Sequence, residues 1–229
     1  MSFCSEILFQ PIVDTAGYRI LAHHCDVGMV DVAIRAAAAL STDGLYLIRT
    51  CSENPRCHAI REATRLSGLP PANIVFEIPI SVVVREPNHW ASVCDEYRQS
   101  GFGIALAGAG SIPRTLRIIR DLRPDYIKLD RMVIRHIERL SCAMTVRGLA
   151  DLAEEWGGRV IADGVERLLV VENLWLLDVY LMQGALLGKG SPQLARNDSA
   201  DLVSLAQALS VGNSREEPVH ALGASGSHF

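Results

Sequence analysis

No stretch of this sequence is long and apolar enough to predict a membrane-spanning helix. The best candidate, Leu168 to Met182, is broken by Glu172, Asn173 and Asp178, and a spanning helix needs about 18 apolar residues in a row. The N-terminus lacks a basic region followed by an apolar one, so no secretory signal is expected and the expected location is the cytoplasm. The six cysteines, at 4, 25, 51, 57, 94 and 142, lack the spacing of a disulfide framework; reduced thiols are the expectation. Two groups contain metal-ligating residue types: Cys51-x5-Cys57-His58 and His23-His24-Cys25-Asp26. Neither has the short paired spacing of a zinc site, and packed thiols with surface histidines are the simpler reading. Basic charge is not in excess either. The net charge of -4 gives no reason to expect nucleic-acid binding. There is no internal repeat.

What the chain does have is apolar content. Of its 229 residues, 49% are hydrophobic, enough to bury a sizeable core. Short β-rich runs alternate with helical patterns. The pattern predicts strands over 7–13, 18–23, 45–48, 74–78, 103–106, 126–129, 159–162 and 180–184. Helices are predicted over 30–40, 56–67, 90–99, 113–121, 144–156 and 168–176. This alternation indicates an α/β fold with a mostly parallel sheet and helices outside it. Eight strands suggest closure into a tight barrel, since about 250 residues is usual for eight βα units. The turn Asp14-Thr15-Ala16-Gly17 makes the first two strands a hairpin, hence an antiparallel pair. Residues 1–192 form the expected barrel domain. Residues 193–211 form an extension with one short helix over 199–209. Residues 212–229, rich in Gly, Ser, Pro and charge, are expected to be disordered.

In such barrels chemistry collects at the C-terminal ends of the strands. Gln10 and Pro11 break the first strand and His24 follows the second. Arg49 ends the third and Glu77 the fourth. Lys128 and Asp130 end the sixth, Asp163 and Glu166 the seventh, and Gln183 the eighth. The ring has a gap at the fifth strand, IALAGAG (104–110), which ends in Ala107-Gly108-Ala109-Gly110 with nothing to ligate or donate.

The runs FQPIVD (9–14), NIVFEI (73–78), YIKLDR (126–131), IADGVE (161–166) and QGALLGKGSP (183–192) resemble, in order, the motifs of EAL domains. Those domains hydrolyse cyclic di-GMP to linear pGpG. The resemblance implies a modified TIM-like (β/α)8 barrel with an antiparallel first strand pair, here shortened between strands 2 and 3. In active members two cations, Mg or Mn, are held by strand-end carboxylates; such ions take oxygen ligands and activate water against a phosphate.

Carried over position by position, the resemblance implies losses. The Glu of the family's name aligns with His24, and a phosphate-holding Arg with Gly28. A ligand Asn aligns with Arg49, the second Glu of the fourth-strand motif with Ile80, and the metal-bridging Asp pair with Ala107 and Gly108. Family-position remnants are Glu77, Lys128, Asp130, Asp163, Glu166 and Gln183. Dinucleotide-binding positions that remain are Gln10, Pro11, Ile12, Gln183 and Gly184. No catalytic residue, no metal site and no cofactor is therefore expected. Without metal, Glu77 and Asp163 need partners to be buried. An Arg49–Glu77 ion pair is expected, with Lys128 serving Asp163 and His24 filling the neighbouring position.

The resulting expectation is an inactive regulatory protein acting by protein–protein interaction in cyclic di-GMP-related signalling, with a transcriptional or motility regulator as partner. A non-catalytic cyclic di-GMP receptor is the alternative, and an active phosphodiesterase a second one. Candidate contact surfaces are the helix at 168–177, with Trp175, and the helix carrying Arg114, Arg117, Arg120 and Arg123 at every third position; that arginine face is equally readable as solvated surface. Membrane and nucleic-acid partners are not expected.

Overall fold

Alternation along each strand decides which side chains enter the barrel and which meet the helices. The computed structural model describes residues 7–26, 29–50, 57–112, 115–199, 203–204 and 206–207. Within them eight strands close into a barrel in chain order: β1 (Phe9–Asp14), β2 (Arg19–Cys25), β3 (Tyr46–Arg49), β4 (Ile74–Pro79), β5 (Gly103–Ala109), β6 (Tyr126–Leu129), β7 (Arg159–Asp163) and β8 (Leu181–Gln183). β1 runs antiparallel to both of its neighbours, β2 and β8. Every other pairing is parallel.

One set of side chains fills the barrel: Ile12, Ala22, Leu47, Val75, Ala105, Ile161 and Leu181 are all buried there as one cluster. Residues one position to either side along the strands face outward. Val13, Ile48, Phe76, Ile104, Ile127 and Ala162 pack into the larger core between strands and helices. The helices are α1 (Val30–Leu40), α2 (Cys57–Ser67), α3 (Ile80–Val83), α4 (Pro87–Gln99), α5 (Thr115–Leu122), α6 (Arg131–Arg135), α7 (Leu140–Glu154) and α8 (Leu168–Trp175). An aromatic cluster fixes α4 on the sheet: Tyr97 lies 4.4 Å from Phe76, and Phe102 lies 5.0 Å from it. Between β2 and β3, α1 is the one helix among the described residues.

Among the differences from the sequence expectation, those at β5 and α6 have local causes. β5 runs past Leu106 to Ala109, and its register against β6 shifts between Ala107 and Ala109. Gly108 sits at that shift with φ +81°, the left-handed backbone of a bulge, which glycine adopts at least cost. α6 is too short to show a helical period. It is started by its cap, since Asp130 Oδ1 accepts a hydrogen bond of 2.8 Å from the Met132 amide. α7 begins at Leu140, earlier than the expected 144. Of the expected helix over 199–209, residues 203, 204, 206 and 207 are helical and 199 is not; the others lie outside the described residues. So do Gly28, Cys51, Pro113, Arg114 and the tail from 212 onward.

Candidate functional site

Two residues from the barrel-filling layer, at the C-terminal ends of β2 to β8 and the N-terminal end of the antiparallel β1, a second inward-facing layer appears. By strand alternation it holds Gln10, His24, Arg49, Glu77, Ala107, Lys128, Asp163 and Gln183. Seven of these positions carry polar side chains and one, Ala107, a small apolar one.

Glu77 is 1% exposed and lies at the centre. Its Oε2 accepts a hydrogen bond of 2.8 Å from Lys128 Nζ, and Lys128 is itself buried. His24 Nε2 lies 3.1 Å from the same oxygen. Burial pushes the Glu77 carboxyl up, but the Lys128 ammonium and the His24 imidazole outweigh it and hold it well below the usual carboxylate range. Lys128 stands on β6 and Glu77 on β4, two strands apart. The reach crosses β5, where Ala107 pairs with Lys128 and leaves the path clear.

The expected Arg49–Glu77 pair does not form. The two are register partners on neighbouring strands, yet Arg49 turns outward and donates a 3.3 Å hydrogen bond to Asp26 at the rim. The reason is desolvation. A guanidinium laid against Glu77 would have to leave water, which is costly; Lys128 and His24 already flank that carboxylate. Asp163 has the expected ion pair and a second, closer partner that was not expected. Lys128 Nζ is 3.7 Å away, while Arg131 Nε donates to Asp163 Oδ2 at 3.1 Å. That contact raises the Arg131 pKa through the hydrogen bond first and the charge second. Arg131 directly follows Asp130 in YIKLDR, but nothing in that run marks it as the partner of Asp163.

The other half of the layer is an ordered amide chain. Gln10 Nε2 donates to the Gly188 carbonyl at 3.0 Å, which can only accept. Gln10 Oε1 therefore faces Gln183 and accepts from its Nε2 at 2.7 Å. The same Nε2 lies 3.1 Å from His24 Nδ1. Nε2, the other ring nitrogen, is the one that faces Glu77. Gly188, which anchors the direction of this chain, lies in the QGALLGKGSP run, but spacing alone does not mark its carbonyl as the acceptor.

The remaining expected positions are spread out. Asp130 caps α6; Glu166 is exposed. Ile12 belongs to the layer that fills the barrel, and Pro11 is buried on the opposite side of β1 from Gln10. Gly184 has a packing reason: a Cβ there would lie 2.0 Å from the Val165 carbonyl oxygen. Ile80 opens α3 and, with Gly108, lines a mouth cleft of about 340 Å³. Arg49, Ser81, Ser111, Lys128, Arg131 and Asp163 supply its polar wall.

Of the two cysteine-histidine groups, His23-His24-Cys25-Asp26 is divided by strand alternation. Cys25 is buried in the outer core, and burial pushes its thiol up to about 12. His23 Nε2 lies 3.2 Å from the Ala195 carbonyl. Among the described residues no three His, Cys, Asp or Glu side chains are grouped to hold a metal ion. No helix among them is long and apolar enough to cross a membrane.

Comparison with known proteins finds relatives of this chain and of its fold. An uncharacterized protein of Azorhizobium caulinodans is 26% identical over 201 residues, covering 82% of this chain and 27% of that protein. The cyclic di-GMP phosphodiesterase PdeB of Shewanella oneidensis is 22% identical over 134 residues, 58% of this chain and 16% of that protein. This chain thus spans about a quarter or less of these relatives' length. Among solved structures, the calcium and cyclic di-GMP complex of Klebsiella pneumoniae BlrP1 superposes with a TM-score of 0.78 at 19% identity, over 83% of this chain and 57% of that one. The EAL domain model matches residues 48–190, from the end of β3 through the Gly188 anchor, and on that match the chain belongs to the EAL domain family.

Proposed function

We propose that this protein is a non-catalytic EAL-family regulator acting through protein–protein contact in cyclic di-GMP-related signalling. One observation carries the reading: Glu77 is engaged from within, its charge matched by the Lys128 ammonium at 2.8 Å and its flank occupied by the His24 ring at 3.1 Å. A pair of divalent cations does not fit this donor set. Such ions need several hard oxygen ligands each. The ends of β2, β3 and β5 offer His24, Arg49, Ala107 and Gly108 instead. Asp130 is engaged in capping α6 and Asp163 in holding Arg131. With no ligand set there is no activated water, so the chain's role rests on what its surface binds, a transcriptional or motility regulator being the class in view.

The open mouth cleft, with Arg49, Ser81 and Ser111 on its wall, favours a second reading, a cyclic di-GMP receptor without turnover. One calorimetric titration with cyclic di-GMP, with and without Mg, separates the readings when paired with a hydrolysis assay. No heat and no pGpG is the expected result. Heat in both buffers without turnover would establish the receptor. Production of pGpG would overturn the proposal.

A further inference from the structure

Beside the mouth, α5 and α7 leave a trough of about 300 Å³ between them, lined by Gly110, Ile112, Leu116, Met144, Gly148 and Leu149. Its edges are apolar and uncovered: Leu116 is 55% exposed and Met144 65%, and Leu140, one turn before Met144, is 76% exposed. Leu140, Met144 and Gly148 follow one another at helical spacing, so they line one side of α7. That side measures about 12 Å, roughly two turns. Gly148 is the low point, with nothing within 4 Å of where its Cβ would be.

Charge around the trough is one-sided. Two acidic residues on these helices are paired, Asp121 with Arg117 and Asp151 with Arg147; the third, Glu154, ends α7 and does not line the trough. Glu138, just before α7, pairs with Arg167. Arg120, one turn beyond Leu116, has no ion-pair partner among the described residues; nor have Arg123 and Arg139, which directly precedes Leu140. Most other described arginines are paired, in a chain whose net charge is -4. Unmatched cations therefore stand at both ends of an apolar trough.

We infer that this trough receives an acidic amphipathic helix of a partner protein, its apolar face on Leu116, Met144 and Gly148 and its carboxylates on Arg120, Arg123 and Arg139. This rests on the protein-contact reading above and adds the partner's chemistry. Helices seat in grooves of this kind by apolar anchors one turn apart, and the flanking charges select among partners. Ser111 and Ile112 line both the trough and the mouth cleft. A docked helix thus touches the loop that walls the cleft.

The test uses the full chain and two labelled amphipathic peptides of about 18 residues with the same leucine face, one bearing Glu and the other Lys on the polar face, read by fluorescence polarisation at low salt. The Glu peptide should bind about tenfold more tightly, the effect of a few exposed ion pairs. Gly148→Leu, which fills open space, should abolish binding while the thermal melt stays cooperative. Arg120→Glu with Arg139→Glu should reverse the preference toward the Lys peptide. Equal binding of the two peptides, or indifference to Gly148→Leu, would overturn the inference. So would self-association of the chain that Gly148→Leu removes, since the occupant would then be a second copy. Failure here leaves the inactive-site reading intact, because only turnover of cyclic di-GMP refutes that.

Discussion

Replacing Lys128 by Met removes the cation that lets Glu77 stay ionised inside the barrel. At 2.8 Å and an effective dielectric of about 20, the attraction lost is about 6 kcal/mol before desolvation is counted. Breaking one side of a buried pair typically destabilises by about 3–5 kcal/mol, or on the order of 10 °C in melting temperature for a chain of this size. The pH dependence carries the sign. In the parent, Glu77 is held below its ordinary value of 4.5. Its contribution is complete above that value and is lost as the pH falls toward the folded one. In the variant, burial acts without the ammonium and the folded carboxyl rises above its unfolded value. The variant then gains stability as the pH falls through that raised value. Urea unfolding at about pH 8 and about pH 5 should therefore show the gap between parent and variant narrowing on acidification. Adding Glu77→Gln should recover a large part of the loss at the higher pH. A pH-independent loss of under about 1 kcal/mol would refute the reasoning, since that is the behaviour of a solvated pair.

Three further outcomes are expected. Arg49→Ala should change stability by less than about 0.5 kcal/mol in a chemical melt, because its partner Asp26 is at the surface. Gly184→Ala should cause a large loss of soluble, folded protein on expression, since the new methyl would overlap the Val165 backbone; a normal melt would show that β8 can shift. Gly148→Ala should raise the melting temperature by about 2–4 °C, the gain of about 1 kcal/mol from replacing an unhindered helical glycine.

The barrel was legible because each strand carries apolar residues on both faces between clear turn signals, and because Asp14 to Gly17 marks the one hairpin. α6 was not, since a single capping carboxylate made it and no periodicity announced it. At the mouth, the ring positions were readable by counting along strands, but their pairings were not. Sequence reasoning joined neighbours, Arg49 to Glu77. The molecule joins Lys128 to Glu77 over Ala107. That choice depends on side-chain length and on the absence of bulk at an intervening strand, which one-dimensional spacing does not contain. Arg131 and Gly188 were missed for a related reason: each acts through a contact made by the fold, on a residue that looked complete without it.

Closure of the barrel has a consequence for how the chain is made. The last seam is β1 against β8, joining Val13 to Met182 and Asp14 to Leu181. Ribosomal synthesis delivers those partners at opposite ends of the domain, so for most of elongation the nascent sheet is an open fan with two raw edges, one at β1 and one at the newest strand. Raw edges recruit other strands. Folding intermediates of this protein should be at greatest risk of aggregation just before Leu181 emerges, and a chain truncated there should accumulate as insoluble material while one extended through Gln183 escapes.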